Sequence, residues 1–297
     1  MPASHPIGIF DSGYGGLTVM KEILRVLPQY DYIYLGDNAR APYGSRSFET
    51  VYRCTLEAVE WLFDRGCPLV ILACNTASAK ALRSIQQSDL PRIAPERRVL
   101  GVLRPVTERI GMYTKTGHVG ILGTRGTVES GSYPIEIHKQ FPDIVITQEA
   151  CPLWVPLVEN GEWESPGADY FIEKHIGNLL RRDPDIDSLI LGCTHYPLLM
   201  NKIKGFISPS IQVISQGGIV AESLDDYLKR HREIENLCSS SGTRRYFTTD
   251  SADMFDHQAR IFMGAAIQTE HVISLQRMTG TRQERGAGKT GTPEYSP

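Results

Sequence analysis

The chain has 297 residues, of which 41% are hydrophobic and 22% are charged, and its formal net charge is −3. This length favours two domains, and a slightly negative chain of this size is not typical of a nucleic-acid binder. No apolar run approaches the roughly 20 residues of a membrane span, and the amino-terminal residues lack the basic and apolar regions of a secretory signal. We therefore expect a cytoplasmic protein that binds neither nucleic acid nor membrane.

The six cysteines give no sign of a structural metal site. They stand at positions 54, 67, 74, 151, 193 and 238, without a Cys-x-x-Cys pair or a histidine at zinc-finger spacing. We expect no metal, and we interpret Cys54, Cys67 and Cys238 as small buried apolar residues.

The first part of the chain alternates short apolar runs with helical patterns. We predict strands over residues 7–10, 32–35, 69–73 and 99–103, and helices from residue 17, over 48–65 and from residue 77. Apolar runs of this length suit parallel strands that are covered on both faces. The third run leads directly into Cys74-Asn75-Thr76.

The same order of features begins again near residue 118. A strand enters a glycine- and hydroxyl-rich turn before residue 128, a strand over 144–149 leads into a proline-broken loop over 151–159, and a helix follows over about 168–181. An apolar run from Leu189 then ends on Cys193. We expect a strand over 211–214, a helix near 221–231 and a strand over 245–249 to return to the first lobe.

This weak internal repeat predicts an α/β fold of two similar lobes, each a mostly parallel sheet flanked by helices, related by a pseudo-twofold axis with the active site between them. We assign residues 1–100 and 211–270 to the first lobe, 101–210 to the second and 271–297 to a disordered tail. Ligands of parallel sheets bind beyond the carboxyl ends of the strands, so Cys74 and Cys193 should approach one cleft from opposite sides.

Two thiols that face one cleft suit proton transfer at a carbon acid. One thiolate removes a proton from one face of the carbon while the opposite thiol delivers a proton to the other face, which inverts the stereocentre. A helix amino terminus and a neighbouring acid or base favour the thiolate, and Asp11 and His195 are the candidates for that neighbour. The residues indicate direct proton transfer without a cofactor, although by themselves they leave pyridoxal phosphate open.

Five blocks of the chain resemble, in the same order, the signature blocks of the glutamate racemase family. The resemblance covers about residues 7–260 and is carried by residues 9–16, 36–44, 73–78 (Ala-Cys-Asn-Thr-Ala-Ser), 123–128 and 191–197 (Leu-Gly-Cys-Thr-His-Tyr-Pro). The Cys-Thr-His form of the last block favours glutamate over aspartate or hydantoin racemases, since those tend to carry Glu there.

The resemblance implies a cofactor-independent isomerase that interconverts L- and D-glutamate and supplies D-glutamate for bacterial peptidoglycan, often as a homodimer. By analogy, Cys74 is the base toward D-glutamate, assisted by Asp11, and Cys193 is the base toward L-glutamate, assisted by His195 and Glu159. The residues expected to hold the substrate are Asp11, Ser12, Tyr43, Gly44, Asn75, Thr76, Thr194 and His195, with Thr124 and Thr127 as further candidates.

Two segments depart from the family pattern. Residues 101–106 lack the glycine that usually follows the proline, and Ser-Gln-Gly-Gly at 215–218 stands where Asp-Ser-Gly is common. We expect these departures to affect the hinge between the lobes more than the chemistry. Two alternatives stay open: an aspartate racemase of the same superfamily, and a non-catalytic two-lobed amino-acid-binding protein whose thiols only pack.

Overall fold

The computed structural model describes residues 5–275, which form two parallel sheets flanked by helices. The first sheet contains β1 (Ile7–Asp11), β2 (Tyr32–Gly36), β3 (Leu69–Leu72), β4 (Arg98–Gly101), β9 (Arg244–Thr248) and β10 (Thr269–His271). Its strand order is β10-β9-β2-β1-β3-β4, with every neighbouring pair parallel. Strands β1, β2 and β3 are buried at every residue, which explains their largely apolar character.

The second sheet repeats the topology of the first. It contains β5 (His118–Gly123), β6 (Val145–Ala150), β7 (Ser188–Gly192) and β8 (Gln212–Ile214), in the order β6-β5-β7-β8 and all parallel. This order is that of β2-β1-β3-β4, with β5 in the place of β1 and β7 in the place of β3. The expected fold of two similar α/β lobes is confirmed.

Helices cover both sheets. The α-helices are α1 (Gly16–Val26), α2 (Phe48–Asp64), α3 (Asn75–Lys80), α4 (Leu82–Ser84), α5 (Leu90–Ile93), α6 (Leu103–Thr107), α7 (Arg125–Glu129), α8 (Ser132–His138), α9 (Trp154–Glu159), α10 (Pro166–Arg182), α11 (Met200–Gly205), α12 (Gln216–Arg230), α13 (Arg232–Glu235) and α14 (Ala252–Met263). Short 3-10 turns lie at Asn38–Arg40, Tyr43–Ser45, Ile110–Met112 and Tyr196–Leu199, and a π turn lies at Ile85–Asp89. Among residues 5–275, no helix is both long and apolar enough to cross a bilayer.

One apolar core extends through both lobes. It joins Ile9 and Met20 of the first lobe to Val220 of α12 and to Tyr133 and Leu191 of the second lobe, all of them buried. A second core fills the opposite face of the first sheet beneath α2. Because interiors of this kind are close-packed, the shared core fixes how the carboxyl ends of the two sheets face each other.

The strand predicted over residues 211–214 does not return to the first lobe. Strand β8 (Gln212–Ile214) pairs with β7 in the second sheet, so the boundary placed at residue 211 is wrong for this strand. The sequence pattern identified a strand but not its partner, because pairing depends on contacts far along the chain.

Two proline-containing segments are helical where breaks were predicted. The expected loop over 151–159 contains α9, and the strand expected to reach residue 103 ends at Gly101, before α6. Pro156 and Pro105 each occupy the third residue of their helix. A proline there lacks an N–H that has no intrahelical partner in any case, so the helix tolerates it.

The segment 215–218 also forms part of a helix. Helix α12 begins at Gln216, five residues before the predicted start. A Cβ atom on Gly217 would lie 3.0 Å from Cγ of Glu22 and 3.3 Å from the carbonyl oxygen of Thr18, so glycine permits the close approach of α12 to α1. This departure from the family pattern therefore lies at a packed contact.

The beginning of the predicted tail is ordered. His271 ends β10, and the side chains of Val272 and Leu275 are buried against the first lobe. The prediction that disorder begins at residue 271 is therefore wrong for residues 271–275. Residues 276–297 lie outside the described part of the chain. Cys54 and Cys67 are buried as predicted, whereas Cys238 is only half-buried.

Candidate active site

Cys74 stands where β3 turns into α3. It caps the amino terminus of α3, and its Sγ accepts the backbone N–H of Ala77 at 3.4 Å and lies 3.4 Å from Oγ of Ser12. Ser12 follows β1, the neighbour of β3 in the sheet. The two residues thus meet at the carboxyl ends of adjacent strands, the usual place for ligands in such sheets.

Cys193 occupies the matching place in the second sheet, directly after β7. Its Sγ lies 3.9 Å from Nδ1 of His195, and Nε2 of His195 lies 2.9 Å from Oε1 of Glu159, the last residue of α9. The sequence-predicted trio of Cys193, His195 and Glu159 is therefore brought together as a chain of polar contacts.

A single cavity of about 200 Å³ contains both thiols. Only 6% of the surface of each cysteine is exposed, so the sulfurs lie in a mostly dry environment. The other sequence-predicted residues that line this cavity are Ser12, Tyr43, Gly44, Asn75, Thr76, Thr124, Glu159, Thr194 and His195. The expectation that one cleft joins the two thiol strands agrees with this arrangement.

This site lies within a chain whose relatives are known. The family model described as Asp/Glu/Hydantoin racemase matches residues 7–224. The chain belongs to this racemase family. It is 39% identical to a glutamate racemase of Geobacter metallireducens over 271 residues, which cover 91% of this chain and 97% of the relative.

Solved structures of the family agree with the fold. A glutamate racemase isoform from Bacillus anthracis superposes with a TM-score of 0.82 at 34% identity, covering 91% of this chain and 98% of the other. The glutamate racemase of Francisella tularensis, solved in complex with D-glutamate, has a TM-score of 0.81 at 30% identity, covering 92% and 98%.

Asp11 is not among the residues that line the cavity of this family member. Its surface is only 1% exposed, and Oδ1 accepts the backbone N–H of Gly13 at 2.8 Å. Oδ2 has no partner within residues 5–275. Burial raises the pKa of Asp11, while the nearby His195 opposes that rise. Asp11 therefore lies behind the cavity wall, near both Cys74 and His195.

Tyr43 lines the cavity, but its hydroxyl group is used elsewhere. The hydroxyl donates to Oδ2 of the fully buried Asp37, which also accepts from Nε of Arg40 at 2.7 Å and from Oγ1 of Thr249 at 2.9 Å. The phenol thus anchors the loop that carries Gly44. A Cβ atom on Gly44 would lie 2.8 Å from Cβ of Thr124, so this loop touches the second lobe closely.

Three threonine hydroxyls connect the two lobes next to the cavity. Oγ1 of Thr76 lies 2.9 Å from Oγ1 of Thr124 and 3.3 Å from Oγ1 of Thr127, and the last two are 3.1 Å apart. Thr124 lines the cavity, whereas Thr127 is fully buried and does not. The structure therefore gives Thr127 a bridging contact rather than a place in the cavity wall.

The turn that carries Cys193 packs tightly against the first lobe. A Cβ atom on Gly15 would lie 2.2 Å from Oγ1 of Thr194 and 2.4 Å from Nδ1 of His195, so only glycine fits at that position. Oγ1 of Thr18 also donates to the Thr194 carbonyl at 3.0 Å.

Sequence reasoning missed two residues that fix Asn75. The hydroxyl of Tyr133 donates to Oδ1 of Asn75 at 2.9 Å, and Nε2 of Gln216 donates to that hydroxyl. Within the described residues, Nδ2 of Asn75 has no partner, so this amide keeps a donor for a ligand of the cavity. Gln216 belongs to the segment that departs from the family pattern, and that departure was the only available signal.

Sequence reasoning also missed the contacts that α14 makes with Glu159 and His195 on the Cys193 side. Nε2 of Gln258 donates to the backbone carbonyl of Glu159 at 3.0 Å, and the ring of Phe262 meets the ring of His195 edge-on with centroids 5.3 Å apart. Helix α14 follows β9 of the first sheet, so the first lobe holds the acid–base pair of the second. No local sequence pattern marks a contact between residues 99 positions apart.

The two thiols have different electrostatic surroundings. Burial, reinforced by the charge of Asp11, raises the pKa of Cys74 to about 12, although Ser12 and the Ala77 N–H act against the rise. Burial alone would lower the pKa of His195, but its hydrogen bonds to Cys193 and Glu159 outweigh burial and raise that pKa to about 10. Burial therefore favours the thiol form of Cys74, and the hydrogen bonds to Cys193 and Glu159 favour the protonated form of His195.

The only group of three potential metal ligands found within residues 5–275 lies away from the thiols. It consists of His118, Asp183 and Asp185. His118 begins β5, at the opposite end of that strand from Thr124, and its Nδ1 is hydrogen-bonded to Asp183 at 2.9 Å.

Proposed function

We propose that the protein interconverts L- and D-glutamate by proton transfer between two cysteine thiols, without a cofactor. The observation that carries this proposal is the placement of Cys74 and Cys193 after equivalent strands of a duplicated fold, in one cavity. A general base placed within reach of its proton contributes about 100-fold to 10,000-fold in rate. Two such bases are needed to deprotonate either enantiomer.

In the direction from L- to D-glutamate, Cys193 acts as the thiolate and removes the α-proton. The imidazolium of His195 stabilises the negative charge on Sγ before transfer, and Glu159 holds the imidazole ring in place. Cys74, kept protonated by its raised pKa, delivers a proton to the opposite face of Cα.

The reverse direction exchanges these roles. The thiolate then stands at Cys74, where Oγ of Ser12 and the N–H of Ala77 stabilise it. One turnover moves the negative charge from one sulfur to the other, so the starting state returns through the opposite enantiomer or through proton exchange with solvent.

We propose that the polar residues of the cavity wall bind the charged groups of the substrate. Hydroxyls of Ser12, Thr76 and Thr194, together with the free amide donor of Asn75, suit the carboxylates. Donors fixed by packing act on the reacting centre without reorganisation. The support for Asp11 as a substrate ligand is weaker, because it does not line the cavity.

Glutamate is favoured over aspartate by the Cys-Thr-His turn and by the relatives. The curated relative from Geobacter metallireducens is a glutamate racemase, and the Francisella tularensis structure contains D-glutamate. A binding protein is disfavoured, since packing alone does not require a buried His195–Glu159 pair beside a thiol. We further propose a cytoplasmic homodimer that supplies D-glutamate for peptidoglycan, on the strength of the family resemblance.

The experiment is to incubate the purified protein separately with L-glutamate, D-glutamate and L-aspartate and to resolve the enantiomers by chiral chromatography. We expect both glutamate enantiomers to reach a 1:1 mixture and aspartate to react far more slowly. A clear preference for aspartate would favour the other racemase of the superfamily, and absence of any inversion would favour the binding protein.

A further inference from the structure

A second depression opens directly beside the thiol cavity. It encloses about 550 Å³ and shares Ser45 and Arg125 with the cavity. The first lobe contributes residues 45–48 and 79–80, and the second contributes Arg125, Glu129 and Ser130. The shared residues place this depression next to the thiol cavity, at the boundary between the two lobes.

The depression is lined by three cationic side chains, those of Arg46, Lys80 and Arg125, and by one carboxylate, that of Glu129. Nζ of Lys80 donates to the backbone carbonyl of Arg46 at 2.8 Å, which holds the ammonium group at the wall. Within residues 5–275, none of the three cations forms an ion pair with a carboxylate within 4 Å, whereas nine other arginines of that range do.

Three cations against the one carboxylate of Glu129 leave the depression locally positive in a protein whose formal net charge is −3. Glutamate carries two carboxylates and one ammonium group at neutral pH, so the protein as a whole repels it. A cleft with an excess of one sign of charge concentrates the oppositely charged ligand and speeds its entry, and salt weakens this effect.

We propose that this depression, the capture groove, is an outer binding site that collects the anionic amino acid and passes it to the thiols. The proposal rests on the proposed function and adds a site for a free carboxylate ligand. Arg125 belongs to both the groove and the cavity, and it gives the carboxylate a second contact as the substrate moves inward.

The test removes the two cations of the groove that do not line the catalytic cavity. At about 10 mM ionic strength, where the Debye length is about 30 Å, the double variant Arg46→Gln/Lys80→Gln should show a KM for L-glutamate raised about threefold to fivefold. A KM change of this size corresponds to the attraction between the substrate's net negative charge and two unit positive charges about 10 Å from it in water. Its kcat should stay unchanged, because the thiols and their partners are untouched.

Salt provides the second readout. At about 0.5 M salt the two enzymes should have nearly the same KM, because screening removes the contribution of the groove from the wild type. Lys204→Gln removes one positive charge from α11, which lines neither depression, and should keep the wild-type KM and its salt dependence. Lys80→Arg should also behave as the wild type, because it keeps the charge.

An unchanged KM in the double variant at low salt, or a wild-type salt dependence in that variant, would overturn the capture groove while leaving the proposed function intact. A loss of kcat with unchanged KM would also overturn it, since it would indicate a structural effect on the thiols. Failure of the wild type to convert glutamate would instead contradict the proposed function, and with it this extension.

Discussion

The Cys74 side and the Cys193 side of the cavity use the same backbone device but different chemistry around it. Each sulfur follows the equivalent strand of a duplicated sheet. Cys74 has a hydroxyl, a backbone N–H and a buried carboxyl group near it, and its pKa is raised to about 12. Cys193 has the ring of His195 near it, whose pKa is raised to about 10 and which is held by the carboxylate of Glu159. The duplication positions the sulfurs, whereas side chains that differ between the two halves give each sulfur its own electrostatic surroundings.

We propose that this difference suits the two sulfurs to opposite roles in the proton transfer, Cys74 as the donor and Cys193 as the acceptor when L-glutamate reacts. Inversion at Cα requires one sulfur that takes a proton from one face while the other gives a proton to the opposite face. The asymmetry is therefore part of the mechanism that we propose.

The largest expected effect comes from removing either sulfur. Cys74→Ala and Cys193→Ala should each lower the rate of racemisation by about 100-fold to 10,000-fold, which is the contribution of one correctly placed general base. Chiral chromatography of L- and D-glutamate incubations measures this loss. Cys54→Ala, at a buried cysteine of the first lobe outside the cavity, is the control and should keep its activity. Near-wild-type turnover by either cavity variant would refute two-base transfer.

The next effect concerns the Cys193 side alone. Glu159→Gln removes a carboxylate that helps to raise the pKa of His195. His195 is protonated below its pKa, so the rate should fall as pH rises through that value. In the variant, the alkaline fall of kcat/KM should therefore begin at a lower pH than in the wild type, where it is expected near pH 10.

The control for this profile is Glu162→Gln, which makes the same change at an exposed residue three positions further on. We expect it to keep the wild-type profile. If Glu159→Gln kept that profile as well, the proposed support of His195 by Glu159 would be wrong.

A smaller effect is expected from Gln258→Leu, which removes the hydrogen bond from α14 to the Glu159 carbonyl. We expect a loss of about threefold to tenfold in kcat/KM, on the order of one hydrogen bond. Since the equilibrium constant of a racemisation is 1, kcat/KM must fall equally in both directions. The kinetic isotope effects measured with α-deuterated L- and D-glutamate show instead which of the two thiols is affected.

If Gln258 positions the Cys193 side, deprotonation of L-glutamate becomes more rate-limiting in Gln258→Leu. The isotope effect should then rise for α-deuterated L-glutamate and fall for the D-enantiomer. A general structural defect would not change the two isotope effects in opposite directions. Gln268→Leu, at an exposed glutamine of the following loop, should leave both effects unchanged.

The fold and several residues of the cavity could be predicted from the sequence. Cys74, Cys193, Ser12 and His195 were predictable because each follows a strand at short range, where apolar runs and turn residues mark the position. The two-lobed fold was predictable for the same reason, since its repeat is a repeat of local patterns.

Contacts between distant segments could not be predicted in this way. The sheet that contains β8, the bond from Gln258 to Glu159 and the bond from Tyr133 to Asn75 depend on packing between elements far apart in sequence. The helical prolines were misread for another reason, because a proline breaks a helix only beyond its first turn.

The most direct test of the central claim is racemisation of L-glutamate in heavy water, followed at early times by mass spectrometry of the separated enantiomers. Two bases that stand on opposite faces of Cα predict that newly formed D-glutamate carries solvent deuterium at Cα while the remaining L-glutamate keeps its hydrogen. D-glutamate that retains the original hydrogen would indicate a single base that serves both faces, and it would contradict the account.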